Sequence, residues 1–272
     1  MKIDDLSPRT RAAAGYFLCL TLVAIYVNMF PVWKYLSTLY GKDIFISLPL
    51  VVLILFLGCI ISARIMAWKS PAPINRLSLS LGILFCFLGL LITDPDFPVK
   101  RVHVVEYAFL CLVARYAMSH FVDGLPLLFF SAFFAALLGV HDEFLQGLHP
   151  ARTYGLRDMA VNLLGSFGGG LIWHGLHFFS KQKKTVINIG DVGFVCWLTV
   201  SVLMLVWPAQ FFRGVPLEMW VVLPLLATAV YYFFYRDKFS SGLSHGIAVA
   251  AIAAVALGGY PLLTRIPGIV FY

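Results

Sequence analysis

Three short blocks of polar residues stand near the ends of apolar runs, and their spacing is helical. His103, Glu106 and Tyr107 are spaced i, i+3, i+4 and share one helix face. Gln146 lies i+4 from Asp142 and i+3 from Glu143. Asp158 and Asn162 lie on one stripe with Gly165 and Gly169. Lys100 precedes the first block, and Arg152 and Arg157 stand between the second and third. The chemistry open to such a set is acid–base and ionic. Glu143 or Glu106 suits a general base, with His103 as the acid. Lys100, Arg152 and Arg157 suit an anionic group, Arg152 through its paired guanidinium donors. Tyr107, Asp142, Gln146, Asp158 and Asn162 supply further polar contacts. No Ser or Cys stands beside the acids as a nucleophile, so attack would fall to water or a substrate hydroxyl. A metal or proton site built from His103, Glu106, Asp142, Glu143 and Asp158 is a further reading. Its spacing is not H-E-x-x-H, and neither a metal nor a cofactor is assigned.

The elements that position these residues are set by composition. Of 272 residues, 61% are hydrophobic and 12% charged. A soluble domain carries about 25% charged residues, and no soluble fold of this size hides so much apolar surface. The runs are too long for the alternation of an outer-membrane barrel. The sequence therefore predicts an all-α polytopic membrane protein, a helical bundle of about 8–9 transmembrane helices. The spans are expected near Gly15–Trp33, Ile44–Met66, Leu77–Thr93, Val102–Met118, Leu125–Leu148, Leu156–Phe179, Val192–Trp207, Met219–Tyr235 and His245–Leu263. The first reads as an uncleaved span, since no A-x-A site follows it. Residues 1–76 then form an N-terminal pair of helices, 77–180 a core, and 181–272 a C-terminal extension.

The net charge of +7 comes from short basic loops. Positive-inside retention accounts for them, and no nucleic-acid partner is expected. Lys2, Arg9, Arg11, Arg64, Lys69, Arg76, Lys181, Lys183, Lys184, Arg236 and Lys238 fall on one side if the N-terminus is cytoplasmic. The polar blocks then share one depth on the extracytoplasmic side. The five cysteines lie in apolar runs with no C-x-x-C pair and read as small apolar filler.

Several of these residues have structural readings. Asp158 just before a helix offsets the helix dipole. Gly165-x-x-x-Gly169 is first a packing motif. Lys100 can snorkel to the interface, and Arg115, Trp173, His174 and His177 read as anchors or packing. The cluster of His103 with Glu106, Asp142 and Glu143 is read as functional, because ionisable groups within spans mark sites.

The blocks His103-x-x-Glu106-Tyr107, Asp142-Glu143-x-x-Gln146 and Arg152-x5-Asp158-x3-Asn162-x2-Gly165 resemble the VanZ-like family of bacterial integral membrane proteins. The resemblance covers roughly residues 77–180 and makes that segment a VanZ-like core. It implies a protein of the bacterial cytoplasmic membrane linked to envelope modulation and to resistance to the glycopeptide teicoplanin. It does not supply a mechanism. Two functions follow as expectations. One is binding of an anionic envelope lipid or head group in an extracytoplasmic polar pocket. The other is a membrane-embedded hydrolase or transferase acting on a lipid-linked or phosphate-bearing envelope substrate. Membrane lipids or a lipid-linked envelope precursor are the expected partners.

Overall fold

A computed structural model describes residues 6–41, 51–58, 60, 62, 74–149, 152, 154–180 and 187–271. Among these residues every regular element is helical. The α-helices are α1 (Pro8–Val27), α2 (Phe30–Tyr40), α3 (Arg76–Ile92), α4 (Val102–Met118), α5 (Gly124–Gly147), α6 (Leu156–Gly175), α7 (Ile189–Ala209), α8 (Leu223–Tyr235), α9 (Ser244–Ala256) and α10 (Gly259–Leu263). Residues 51–58 are helical as well.

Five stretches have the length and composition to cross a membrane: Pro8–Val27, Gly124–Gly147, Ile189–Ala209, Met219–Lys238 and Ser244–Leu263. α3 is apolar but has 17 residues. α4, which also has 17 residues, and α6, whose polar residues and glycines dilute its apolar character, are not among the five. The loop charges at Lys2, Lys42, Asp43, Arg64, Lys69, Lys181, Lys183 and Lys184 lie outside the described residues.

Helix ends follow local chemistry. α1 begins earlier than the apolar run, because Ser7 accepts from the Thr10 N–H and Pro8 opens the first turn. It also ends earlier, at Val27. The Asn28 side chain turns back to the Ala24 carbonyl at 2.7 Å, and Pro31 has no N–H to continue the ladder. The chain beyond this break forms α2, a separate helix where the sequence suggested the end of a span and a loop. α6 ends at Gly175 and not near Phe179, since His177 and Phe179 take left-handed φ values of 57° and 58°.

α6 is the central helix, packed against α3, α4 and α5. Its glycines allow that. A Cβ on Gly169 would lie 2.6 Å from Ala108 Cα, and one on Gly165 would lie 2.8 Å from the Val104 carbonyl oxygen. The pairs Val104–Gly165 and Ala108–Gly169 place α4 parallel to α6. Gly139 meets Asn162 and Ala132 meets Gly170, so α5 runs antiparallel to both. The first turns of α4 and α6 and the last turn of α5 therefore share one end of the bundle. Parallel neighbours with an antiparallel helix between them are what alternating connections require.

Arg115 and Trp173, both read as anchors or packing, are fully buried. Arg115 Nε donates to the Phe178 carbonyl at 2.7 Å, and Trp173 Nε1 to the Ala108 carbonyl at 2.8 Å. His245 meets the Tyr16 hydroxyl at 2.7 Å.

Candidate functional site

The polar blocks meet at that shared end. Tyr107 Oη donates to Asp142 Oδ2 at 2.8 Å, and Gln146 Nε2 donates to Asp142 Oδ1 at 2.8 Å. Gln146 Oε1 accepts from Arg152 Nη2 at 2.6 Å, and Arg152 Nη1 donates to the Val27 carbonyl at 2.6 Å. The i, i+4 spacing of Asp142 and Gln146 puts both on one face, so the last turn of α5 links a tyrosine of α4 to the arginine beyond it. Tyr107 and Asp142 are completely buried and Arg152 half-buried, so the chain of contacts runs from the interior outward. Partial burial pulls the Arg152 pKa below its ordinary value, and Asp142, Glu143, Asp158 and Glu106 pull it back.

A second set of contacts surrounds the first. Lys100 Nζ pairs with Asp158 Oδ2 at 2.5 Å. His103 Nδ1 lies 3.2 Å from Glu106 Oε2, but their alignment does not make a hydrogen bond, and among the described residues Nδ1 has no other hydrogen-bond partner. Glu143 is completely buried. Its Oε2 receives the Gly155 N–H at 3.4 Å, and its Oε1 lies 3.5 Å from Asn162 Nδ2. Both distances are long for hydrogen bonds, which centre near 2.9 Å. Arg157 is not brought into the cluster. Its side chain is 56% exposed, and Nη1 lies 3.3 Å from Asp94 Oδ2.

Beside these residues lies a cavity of about 650 Å³. Lys100, His103, Glu106, Gln146 and Arg152 contribute to its wall, whereas Glu143, Asp142, Asp158 and Asn162 stand behind it. The opposite wall comes from α1 and α2 through Tyr26, Phe30, Trp33 and Lys34. Arg152 lies 5.5 Å over the Phe30 ring and Lys100 lies 5.6 Å over Phe97. Of the two candidate bases, Glu106 faces the cavity and Glu143 does not.

The α1–α2 wall was not anticipated from the sequence. Its signal was the aromatic series Tyr26, Phe30 and Trp33 at i, i+4, i+7, a repeat of one helix face that also suits a membrane interface. The part played by the C-terminal extension was equally unforeseen. Tyr154 Oη donates to the Ala209 carbonyl at the end of α7. Arg213 donates to the Tyr154 carbonyl at 2.5 Å and covers its ring at 4.9 Å. Phe271 packs on Tyr154 and Phe144, both at 5.3 Å between ring centres. The extension thereby braces the turn that carries Arg152.

Chemically the cavity offers cations, an acid–base pair and aromatic faces. Among the described residues no group of three or more His, Cys, Asp and Glu side chains is disposed to hold a metal ion. No protein-family model, curated protein or solved structure matches the chain.

Proposed function

We propose that this is a VanZ-like integral membrane protein that binds the anionic head group of an envelope lipid or lipid-linked envelope precursor in the cavity between α1–α2 and α4. The observation that carries this reading is the state of Arg152. Its hydrogen bonds to described residues go to neutral oxygens, Val27 O and Gln146 Oε1, and no described carboxylate lies within ion-pair distance. Its charge is therefore left for a ligand. Lys34 and Lys100 line the same space. The aromatic wall suits the region where a head group joins its apolar part.

In this reading the chain makes about 8–9 spans, with its N-terminus in the cytoplasm of a bacterium and the site on the extracytoplasmic face. The loop charges support that orientation. The biological setting would be envelope modulation, of the kind associated with glycopeptide (teicoplanin) resistance.

A second reading, a hydrolase or transferase acting on the same class of lipid, rests on His103 and Glu106, which stand 3.2 Å apart on the cavity wall. It assigns the general base to Glu106. A proton taken by Glu106 and one given by His103 would both be exchanged at the cavity surface.

Retention of phosphatidylglycerol against phosphatidylcholine, read by native mass spectrometry of the detergent-purified protein, tests head-group binding. Wild type should prefer the anionic lipid. Arg152→Ala should weaken that preference about tenfold or more, the equivalent of one charge-assisted hydrogen bond. Arg152→Lys should do nearly as badly, because Lys lacks the planar pair of donors. Equal retention of the two lipids by wild type would refute the reading.

A further inference from the structure

A second cavity, a groove of about 490 Å³, runs between α1, α5 and α9 and shares no lining residue with the polar cavity. α1, α5 and the stretch from α9 through α10 are three of the five that can cross a membrane. α5 forms the back of the groove. Phe134, Leu138, His141 and Leu145 recur there at i, i+4, i+7 and i+11 on one helix face. α1 and α9 form the flanks, and each packs along α5. The groove is closed toward the middle of the bundle. The Tyr16 ring stands edge-on to Phe134 at 5.7 Å, and its hydroxyl lies 2.7 Å from His245 Nε2, so one side chain ties α1 to both neighbours. Toward the end that carries Arg152 the flanks are lined by Ala24, Ala253 and Ala256, and their small side chains leave the space open.

The polar groups of the lining are turned in on one another. Leu257 N–H bonds the Ala254 carbonyl, a tightened last turn that frees the Ala253 carbonyl. His141 Nε2 reaches that carbonyl at 2.9 Å. A carbonyl only accepts, so Nε2 carries the proton, the ring is neutral, and Nδ1 accepts from the Tyr260 hydroxyl at 3.0 Å. With Tyr16 engaged by His245, no lining side chain offers a charge or a free donor to an occupant.

We infer that this groove is a binding site for one hydrocarbon chain of a membrane phospholipid, drawn from the leaflet on the side of the polar residues. From Phe134 to Leu145 it runs roughly 16 Å at 1.5 Å per residue, about half of a 30 Å hydrocarbon core. It therefore spans the depth of one leaflet. Volume over length gives a cross-section of roughly 30 Å². A helix 10–12 Å across needs roughly 80 Å² or more, so no partner helix fits. An extended chain does, and it restores the dispersion contacts that bare walls lack. The closed end at Tyr16 and Phe134 limits how deep the chain reaches.

Native mass spectrometry of the detergent-purified full chain, with phosphatidylcholine added and no anionic lipid, tests this. Wild type should retain one phosphatidylcholine. Ala24→Trp on α1 and Ala256→Trp on α9 fill the groove from opposite flanks, and both positions are exposed, so neither crowds the core. Each should cut retention about tenfold. Leu203→Trp, exposed on α7 outside the groove, should leave it unchanged. No phosphatidylcholine on wild type, undiminished retention in either groove variant, or an equal loss with Leu203→Trp would overturn the assignment. So would its loss with Arg152→Ala, which would place the lipid in the polar cavity. Retention of the zwitterionic lipid reports on the groove, whereas preference for phosphatidylglycerol over it reports on head-group binding, so either can fail alone.

Discussion

Tyr107 shows how much a single side chain holds in this protein. Its hydroxyl is one of two donors to Asp142, and both residues are fully buried. Tyr107→Phe removes one oxygen and leaves Asp142 Oδ2 without a donor. The expected loss is about 1–3 kcal/mol of stability, the desolvation penalty of an unpaired buried acceptor. Chemical denaturation in detergent should read it, and a loss within error of zero would mean that water replaces the hydroxyl. At this scale the sequence was informative, because charged residues in apolar runs are conspicuous. It brought His103, Glu106, Tyr107, Asp142, Glu143, Gln146, Asp158 and Asn162 to one end of the bundle, where the structure also places them. It did not separate the residues facing the cavity from those behind it. Glu106 and Glu143 are both acids near a helix end, and which one faces the cavity depends on how α4 and α5 are rotated about their axes. Arg157 was grouped with Arg152, but Asp94, in the connection after α3, holds it outside the cluster. That pairing spans more than sixty positions (94 to 157), and no local pattern encodes it.

At the scale of the helix, contact between α6 and α4 depends on what Gly165 and Gly169 lack. Gly169→Ala puts a Cβ 2.6 Å from Ala108 Cα, and neither backbone can move away without carrying its helix with it. The expected cost is about 1–3 kcal/mol, typical of overpacking. Gly193→Ala in α7 has nothing within 4 Å of the added Cβ and should be neutral or slightly stabilising. Thermal midpoints of the two variants check the contrast, and similar midpoints would show that close approach is not what Gly169 provides. The G-x-x-x-G spacing made this packing legible, because small residues four apart form one stripe. The break between α1 and α2 was hidden by continuous hydrophobicity across Asn28. Its cause lies in backbone hydrogen bonding, which an apolar pattern does not record.

For the whole molecule, the proposed orientation is open to direct measurement. In a background without the native cysteines, Asp96→Cys should react with a membrane-impermeant thiol reagent in intact cells. Asp237→Cys, whose native side chain is 92% exposed, should react only after lysis. The reverse pattern would put the site in the cytoplasm. That the C-terminal extension supports the site was not legible beforehand, because the contacts of Ala209, Arg213 and Phe271 with Tyr154 join distant parts of the chain. The cavity also has one stiff wall and one compliant wall. α4 is locked to α6 by backbone contacts that leave no slack, and α5 packs on α6 through close side-chain contacts at Gly139 and Gly170. α2 has no buried residue at all and leans on the cavity from the other side. Ligands of different bulk would therefore be accommodated by displacing α2, while the spacing of Arg152, Lys100 and His103 stays fixed. Selectivity would then be strict for the charged head group and permissive for whatever is attached to it.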